Sequence, residues 1–291
     1  MQMKEESRSK LMLISAMIIF GTIGIFRRYI PLPSGTIAFA RGVIGVIFLL
    51  AAVSFGGKKI SKEAVKNNLA ILCISGALIG FNWILLFESY QYTSVATATL
   101  CYYMEPVFVI LASAVLFREK LTGKKIFCTI VAFIGMILVS GVLNVGISGL
   151  SEMKGILFGL GAAALYSSVV LMNKKLKEIS AYDKTIVQLA SAAIVILPYI
   201  LVAEDISGVE FTPLMIIMLL VVGVIHTGMA YAMYFGSMGN LKAQTIAIFS
   251  YIDPIVAVIL SAVILHETMD IIGWIGAVLV LGAAMLMETG E

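Results

Sequence analysis

Long apolar runs follow one another from near the N-terminus to the C-terminus. Each is close to the ~20 residues that a helix needs to cross the hydrocarbon core of a bilayer. They fall at roughly 11–29, 34–55, 68–90, 94–117, 125–143, 154–173, 184–203, 213–237, 243–265 and 270–288. Short polar stretches with turn residues separate them: Pro31 and Pro33, Gly56-Gly57, Gly123, Gly146 and Gly149, Gly208, and Gly239-Asn240. No stretch between the runs is long enough for a soluble domain. The pattern predicts an all-α integral membrane protein with ten transmembrane helices.

Composition agrees. Of 291 residues, 60% are hydrophobic and 13% charged, whereas a soluble domain carries charge on about a quarter of its residues. A bilayer accepts this much apolar surface because a membrane helix exposes its side chains to lipid and satisfies its own backbone. Cys73, Cys101 and Cys128 lie inside apolar runs with no CxxC spacing and no histidine pattern, so neither disulfides nor a metal site is expected. The leader MQMKEESRSK enters the first run with no small-residue cleavage site, which reads as a retained helix and not a signal peptide.

The position of the charges says more than their sum. With the N-terminus cytoplasmic, the inside segments hold sixteen of the twenty lysines and arginines, and the outside segments hold Arg27, Arg28 and Lys154; Arg41 lies within the second run. Basic residues translocate poorly, so both termini are expected in the cytoplasm of a multi-pass protein of the cell (inner) membrane.

The two halves of the chain resemble each other. Residues 93–121 (TSVATATLCYYMEPVFVILASAVLFREKL) align without gaps to residues 241–269 (LKAQTIAIFSYIDPIVAVILSAVILHETM). The alignment pairs Thr97 with Thr245, Tyr103 with Tyr251, Glu105-Pro106 with Asp253-Pro254, Ser113 with Ser261, and Glu119 with Glu267. Upstream, Trp83 pairs with Tyr231 and Phe87 with Phe235, and Phe20-Gly21-Thr22 matches Tyr166-Ser167-Ser168 more weakly. Five helices per unit is an odd number, so the second unit must enter the membrane from the opposite side. The expectation is two inverted five-helix repeats, 1–145 and 150–291, a construction typical of secondary transporters with a site between the repeats.

A helix with a central proline, an apolar run, a terminal glutamate and a glycine-rich closing helix occurs twice, at Pro106 to Glu119 and at Pro254 to Glu267. In this the chain resembles the EamA type of the drug/metabolite transporter superfamily along its whole length. The resemblance implies ten helices, cytoplasmic termini, a central cavity lined by both halves, and transport of small metabolites, often amino acids or amines, commonly driven by ions. One departure stands out: the residue before each proline is often neutral in such proteins and is acidic here in both halves.

An ionisable group inside a bilayer is costly and usually has a task or a partner. Glu105 and Asp253 are expected halfway along the fourth and ninth helices, near the midplane. Their prolines remove backbone donors and free the carbonyls of Tyr102 and Ser250. Together these groups can bind a cation, an ammonium group or a proton; the alternative is that the acids only hydrogen-bond neighbouring helices. Arg41 either holds a substrate carboxylate or pairs with Glu88 to close the outer side. His226 either relays a proton or bonds a backbone carbonyl. Trp83, Phe87, Tyr102, Tyr103, Tyr231, Tyr234 and Tyr251 can wall a cavity and attract an organic cation, with plain packing as the alternative, and Asn82 can supply an orienting amide. Gly21, Gly24, Gly45, Gly76, Gly80, Gly135, Gly159 and Gly161 are expected to permit close helix packing.

The reading is a secondary active transporter of an amino acid, amine or organic cation, working by alternating access with possible proton coupling. Its partners would be the small substrate and the lipid bilayer, with no nucleic acid and no cofactor. An intramembrane enzyme is disfavoured because no HExxH, GxSxG or aspartate-rich diphosphate motif occurs. A channel or receptor lacks a ring of filter residues and a sensory domain. No P-loop supports ATP-driven transport by this chain.

Overall fold

The computed structural model describes residues 2–27, 29–57, 59–93, 98, 101–118, 120–140, 150–264 and 271–288. Among these residues all regular structure is helical. The helices are α1 (Gln2–Gly21), α2 (Ile23–Arg27), α3 (Ser34–Phe55), α4 (Lys62–Tyr92), α5 (Glu105–Leu116), α6 (Gly123–Ser140), α7 (Leu150–Lys175), α8 (Ala181–Ala203), α9 (Pro213–Val221), α10 (Ala230–Ser237), α11 (Ala243–Ser250), α12 (Ile252–Ile264) and α13 (Ile271–Glu288). A π-helical segment, Val222–Met229, joins α9 to α10, and a 3-10 turn, Met238–Asn240, follows α10.

Among the described residues five segments are long and apolar enough to cross a membrane: Ser34–Phe55, Lys62–Leu86, Met153–Lys175, Ala181–Ala203 and Pro213–Asn240. Shorter apolar helices accompany them, including Glu105–Leu116 and Ile271–Val280. The second run ends where the hydropathy pattern puts it, at residues 34–55. Others extend further: α1 begins in the polar leader and α4 begins at Lys62, capped by Ser61, whose side chain accepts from the Ala64 N–H. A helix continues beyond the apolar region because its hydrogen-bond ladder does not depend on apolar side chains, whereas a hydropathy window does.

The protein has an apolar interior, yet it also turns many large apolar side chains outward and buries several polar ones. Phe55, Val115, Leu201, Val202 and Ile271 are exposed, while Asn82, Glu105, Gln188, His226 and Gln244 are buried. In water such a surface would aggregate; against lipid tails it is stable. With the drive for burial absent between membrane helices, close packing holds them together. A Cβ on Gly76 of α4 would lie 2.5 Å from the Gln188 carbonyl of α8. One on Gly135 of α6 would lie 2.7 Å from the Gly276 carbonyl of α13.

The principal helix contacts join one half of the chain to the other. Helix α4 packs on α7 and α8, α3 on α8 and the π segment, α1 on α10 and α12, α5 on α7 and α11, and α6 on α13. Loops gather alternately at two ends. At the end with the N-terminus, Asn240 Nδ2 donates to Ser9 Oγ (3.1 Å), Asn68 Nδ2 to the Lys177 carbonyl (3.0 Å), and the Lys174 ammonium to the carbonyls of Met238 and Leu241. At the other end the Glu204 carboxylate, just past α8, accepts from the N–H groups of Gly35 and Thr36 and from the Thr36 hydroxyl, each at 2.7 Å. A carboxylate there satisfies the unpaired first-turn donors of α3 and complements its dipole. At the same end Ser89 Oγ donates to the Gly155 carbonyl (2.7 Å).

Candidate functional site

The fourth and ninth runs are broken helices, not continuous ones. Helical residues Cys101 and Tyr102 give way to a turn at Tyr103-Met104, and α5 then starts at Glu105. In the second half α11 ends at Ser250, Tyr251 is a turn residue, and α12 starts at Ile252. The expectation of carboxylates halfway along intact helices is therefore corrected: each sits in the first turn of a half-helix. The local sequence explains this. Proline at the first helical positions lacks an N–H that would have no partner there, and its fixed φ suits helix entry. An acidic residue beside it complements the positive end of the dipole. Glu-Pro and Asp-Pro thus specify helix starts.

Around the two breaks stands an aromatic cluster drawn from both halves. Phe20 of α1 meets Tyr231 edge-on at 5.1 Å and Tyr234 at 6.0 Å. Trp83 of α4 meets Tyr231 edge-on at 6.2 Å. Tyr166 of α7 stacks on Tyr234 at 6.4 Å and meets Tyr102 at 6.2 Å with the rings tilted by 40°; Tyr102 in turn meets Tyr103 edge-on at 5.7 Å. These edge-on and offset contacts are favoured by the ring quadrupoles.

Glu105 is 5% exposed, and its Oε1 has no hydrogen-bond partner among the described residues. Asp253 is half-buried, and the Tyr103 hydroxyl stands beside its carboxylate as a potential donor. Both carboxyls lie within electrostatic reach of the Tyr102 hydroxyl. Glu105 also reaches Tyr166, Tyr234 and Tyr251, and Asp253 reaches Tyr231. Tyr251 is fully buried and its hydroxyl has no partner among the described residues.

Arg41 of α3 lies 4.5 Å over the Trp83 ring and donates from Nε to Thr227 Oγ1 at 3.0 Å. Its charge is felt at Tyr231 and His226. Glu88, the partner expected for it, is engaged elsewhere and accepts from the Tyr199 hydroxyl at 2.7 Å. The structure thus separates the two residues: Arg41 belongs to the aromatic cluster, Glu88 to the end contacts.

His226 is buried in the π-helical segment. Its Nε2 lies 2.8 Å from Thr22 Oγ1, which also lies 2.7 Å from the Ile19 carbonyl. The His226 tautomer sets which of the two groups donates. The ring also meets Phe26 edge-on at 4.8 Å. A π segment in one half thus bonds the α1–α2 break in the other. Such bulges are frequent at functional sites.

Asn82 donates from Nδ2 to the Ala162 carbonyl at 2.7 Å, joining α4 to α7, and its Oδ1 has no partner among the described residues. Glu119 and Glu267 lie outside the described residues, as does the side chain of Phe87. Sequence reasoning passed over Phe20, Tyr166, Gln188 and Gln244 as site residues. Gln188 donates to Ser75 Oγ at 2.6 Å, and the Gln244 amide is buried with no partner at either end among the described residues. A signal was present for one pair: Phe20 and Tyr166 occupy matched repeat positions.

Comparison with known proteins agrees with this architecture. The family model described as the EamA-like transporter family matches the chain twice, at residues 8–141 and 153–289. A Bacillus subtilis (strain 168) protein named as the uncharacterized transporter YxxF is 31% identical over 291 residues, covering 97% of this chain and 90% of that protein. An uncharacterized transporter of Clostridium kluyveri (strain ATCC 8527 / DSM 555 / NBRC 12016 / NCIMB 10680 / K1) is 27% identical over 251 residues, covering 82% of this chain and 80% of that protein. A solved crystal structure superimposes with a TM-score of 0.85 at 17% identity, covering 97% of this chain and 96% of its own; this likeness concerns the fold alone.

Proposed function

The chain belongs to the EamA-like transporter family, and from that premise we propose a secondary carrier of a small metabolite with an amino group, an amino acid, amine or organic cation. It works by alternating access with proton coupling. The observation that carries this reading is the pair of carboxyls, Glu105 and Asp253, at matched helix starts, both close enough to Tyr102 of the aromatic cluster to be felt there electrostatically. A carboxyl enclosed by aromatic rings suits an ammonium group, by charge and by cation–π attraction. The same carboxyl, emptied of substrate, suits a proton. Discontinuous helices at a repeat interface recur in secondary carriers.

Two inverted five-helix repeats, 1–145 and 150–291, would give the carrier its symmetry. Two observations support them: the family model's two matches, and the cross-half contacts, in which α4 on α7 has its mate in α1 on α10. Both termini would face the cytoplasm of the cell (inner) membrane, supported by the basic residues in the segments that share the N-terminal end.

Arg41 favours amino acids within this class. Among the described residues it has Thr227 and Trp83 as neighbours and no carboxylate partner, so a substrate carboxylate would complete it. Uptake or efflux of amino acids, amines and quaternary cations in proteoliposomes, with and without a proton gradient, tests the reading. Normal gradient-driven transport by both Glu105→Gln and Asp253→Asn sinks it.

A further inference from the structure

At the end of the bundle that holds the N-terminus, a cavity of about 420 Å³ opens between the last turn of α7, the first turn of α8 and the 3-10 turn after α10. Asn173, Lys174, Glu178, Ser180 and Lys184 are among its walls. Lys184 is 6% exposed and its ammonium has no hydrogen-bond or ion-pair partner among the described residues. Its charged neighbour in the wall is another cation, Lys174, which holds the carbonyls of Met238 and Leu241 and so is fixed in place. Asn173 is 3% exposed; its Nδ2 donates to the Val169 carbonyl at 2.9 Å, and its Oδ1 has no partner among the described residues.

The N-terminus of the 23-residue α8 forms a further wall, with Ser180 Oγ capping the Asp183 N–H at 3.0 Å. That helix end adds positive potential. The anionic groups nearby do not cancel it. Asp183 is turned to the Ser61 N–H at 3.4 Å. Glu178 is exposed on the rim, where water screens it. In the adjoining cavity of about 360 Å³, which shares Lys174, Glu6 is paired with Lys10 at 2.9 Å and Glu5 faces Lys242 across the same space.

A buried cation, Lys184, a half-buried one, Lys174, and a helix N-terminus line one partly open cavity beside an unused amide acceptor, which describes a site for an anion that also carries a hydroxyl. We propose that this cavity binds a phosphate group, with Lys184 and Lys174 facing its charge and Asn173 Oδ1 accepting a hydroxyl hydrogen from a protonated free phosphate or from the glycerol of a lipid headgroup. The phosphate belongs either to a lipid headgroup such as phosphatidylglycerol or to a free phosphate. The inference is independent of the carrier mechanism, because none of these residues touches the aromatic cluster in the contacts above.

The test uses the full-length, delipidated protein. Its thermal midpoint is measured with inorganic phosphate against chloride at equal ionic strength, and in nanodiscs of phosphatidylglycerol against phosphatidylcholine. A rise with phosphate assigns the soluble source; a rise with phosphatidylglycerol alone assigns the lipid. In either case Lys184→Gln should weaken binding about tenfold or more, Lys184→Arg should retain it, and Lys242→Gln should leave it unchanged. No stabilisation of the wild type by either source overturns the proposal, as does stabilisation undiminished in Lys184→Gln. Should Lys184→Gln fail to fold, the wild-type comparison and Lys184→Arg still decide.

Discussion

The two helix breaks carry the same local sequence device and end in different surroundings. At the first, Glu105 enters α5 with its carboxyl enclosed and Oε1 without a partner among the described residues. At the second, Asp253 enters α12 half-buried, with the Tyr103 hydroxyl of the opposite half beside it as a donor. Asp253 is also pressed from behind, because α1 approaches its backbone so closely that a Cβ on Gly21 would lie 2.6 Å from the Asp253 carbonyl. A repeated sequence thus produces one bare carboxyl and one supported carboxyl. Equal residues acquire unequal tasks from their neighbours: the supported group is held in one geometry, while the bare one is open to an incoming cation or proton.

That contrast orders the expected effects of mutation. Glu105→Gln should cost most, with gradient-driven transport in proteoliposomes falling about a hundredfold, the equivalent of about 3 kcal/mol for a lost charged partner. A loss much smaller than that of Asp253→Asn would reverse the assignment. Next comes Gly21→Ala, whose methyl meets a rigid backbone carbonyl. Overpacking of this kind costs about 2 kcal/mol, visible as a lower thermal midpoint of the purified protein; an unchanged midpoint would mean that α1 and α12 slide apart freely. Asp253→Asn should reduce transport about tenfold, about 1.4 kcal/mol, because an amide oxygen can still accept from Tyr103. The smallest effect belongs to Tyr103→Phe, about fivefold or about 1 kcal/mol for one hydrogen bond. Combined with Asp253→Asn it should add less than its full effect, and combined with Glu105→Gln it should add fully. Equal coupling to both acids would erase the distinction between the breaks.

Much of this was legible in the chain. The run at 34–55 matches α3 at both ends, because Pro33 and Gly56-Gly57 bound it chemically as well as by hydropathy. The kinship of Glu105-Pro106 with Asp253-Pro254 was readable as identical spacing. Other features were not. Hydropathy averages over a window, so a two-residue turn at Tyr103-Met104 leaves no trace in it, although a proline preceded by an acid is a helix-start signal. The Arg41–Glu88 pairing rested on depth alone, and depth does not fix which face of a helix a side chain occupies. Tyr199 and Thr227, far away in sequence, took the two partners.

The sequence by itself determined that the chain is a multi-pass helical membrane protein of the EamA-like family, because apolarity, helix length and repeat spacing are local properties. It also marked Glu105, Asp253 and Arg41 as costly, since a charge in an apolar run is costly wherever the helix lies. Only the tertiary structure decided which of them share a space. The cluster of Phe20, Trp83, Tyr102, Tyr166, Tyr231 and Tyr234 is assembled from α1, α4, α7, α10 and the helical residues just before the turn that precedes α5. So is the cavity around Lys184, from α7, α8 and the turn after α10. The physical reason is that helix rotation and packing are set by contacts between segments far apart in the chain, chiefly where small residues let backbones approach. No single segment encodes both sides of such a contact.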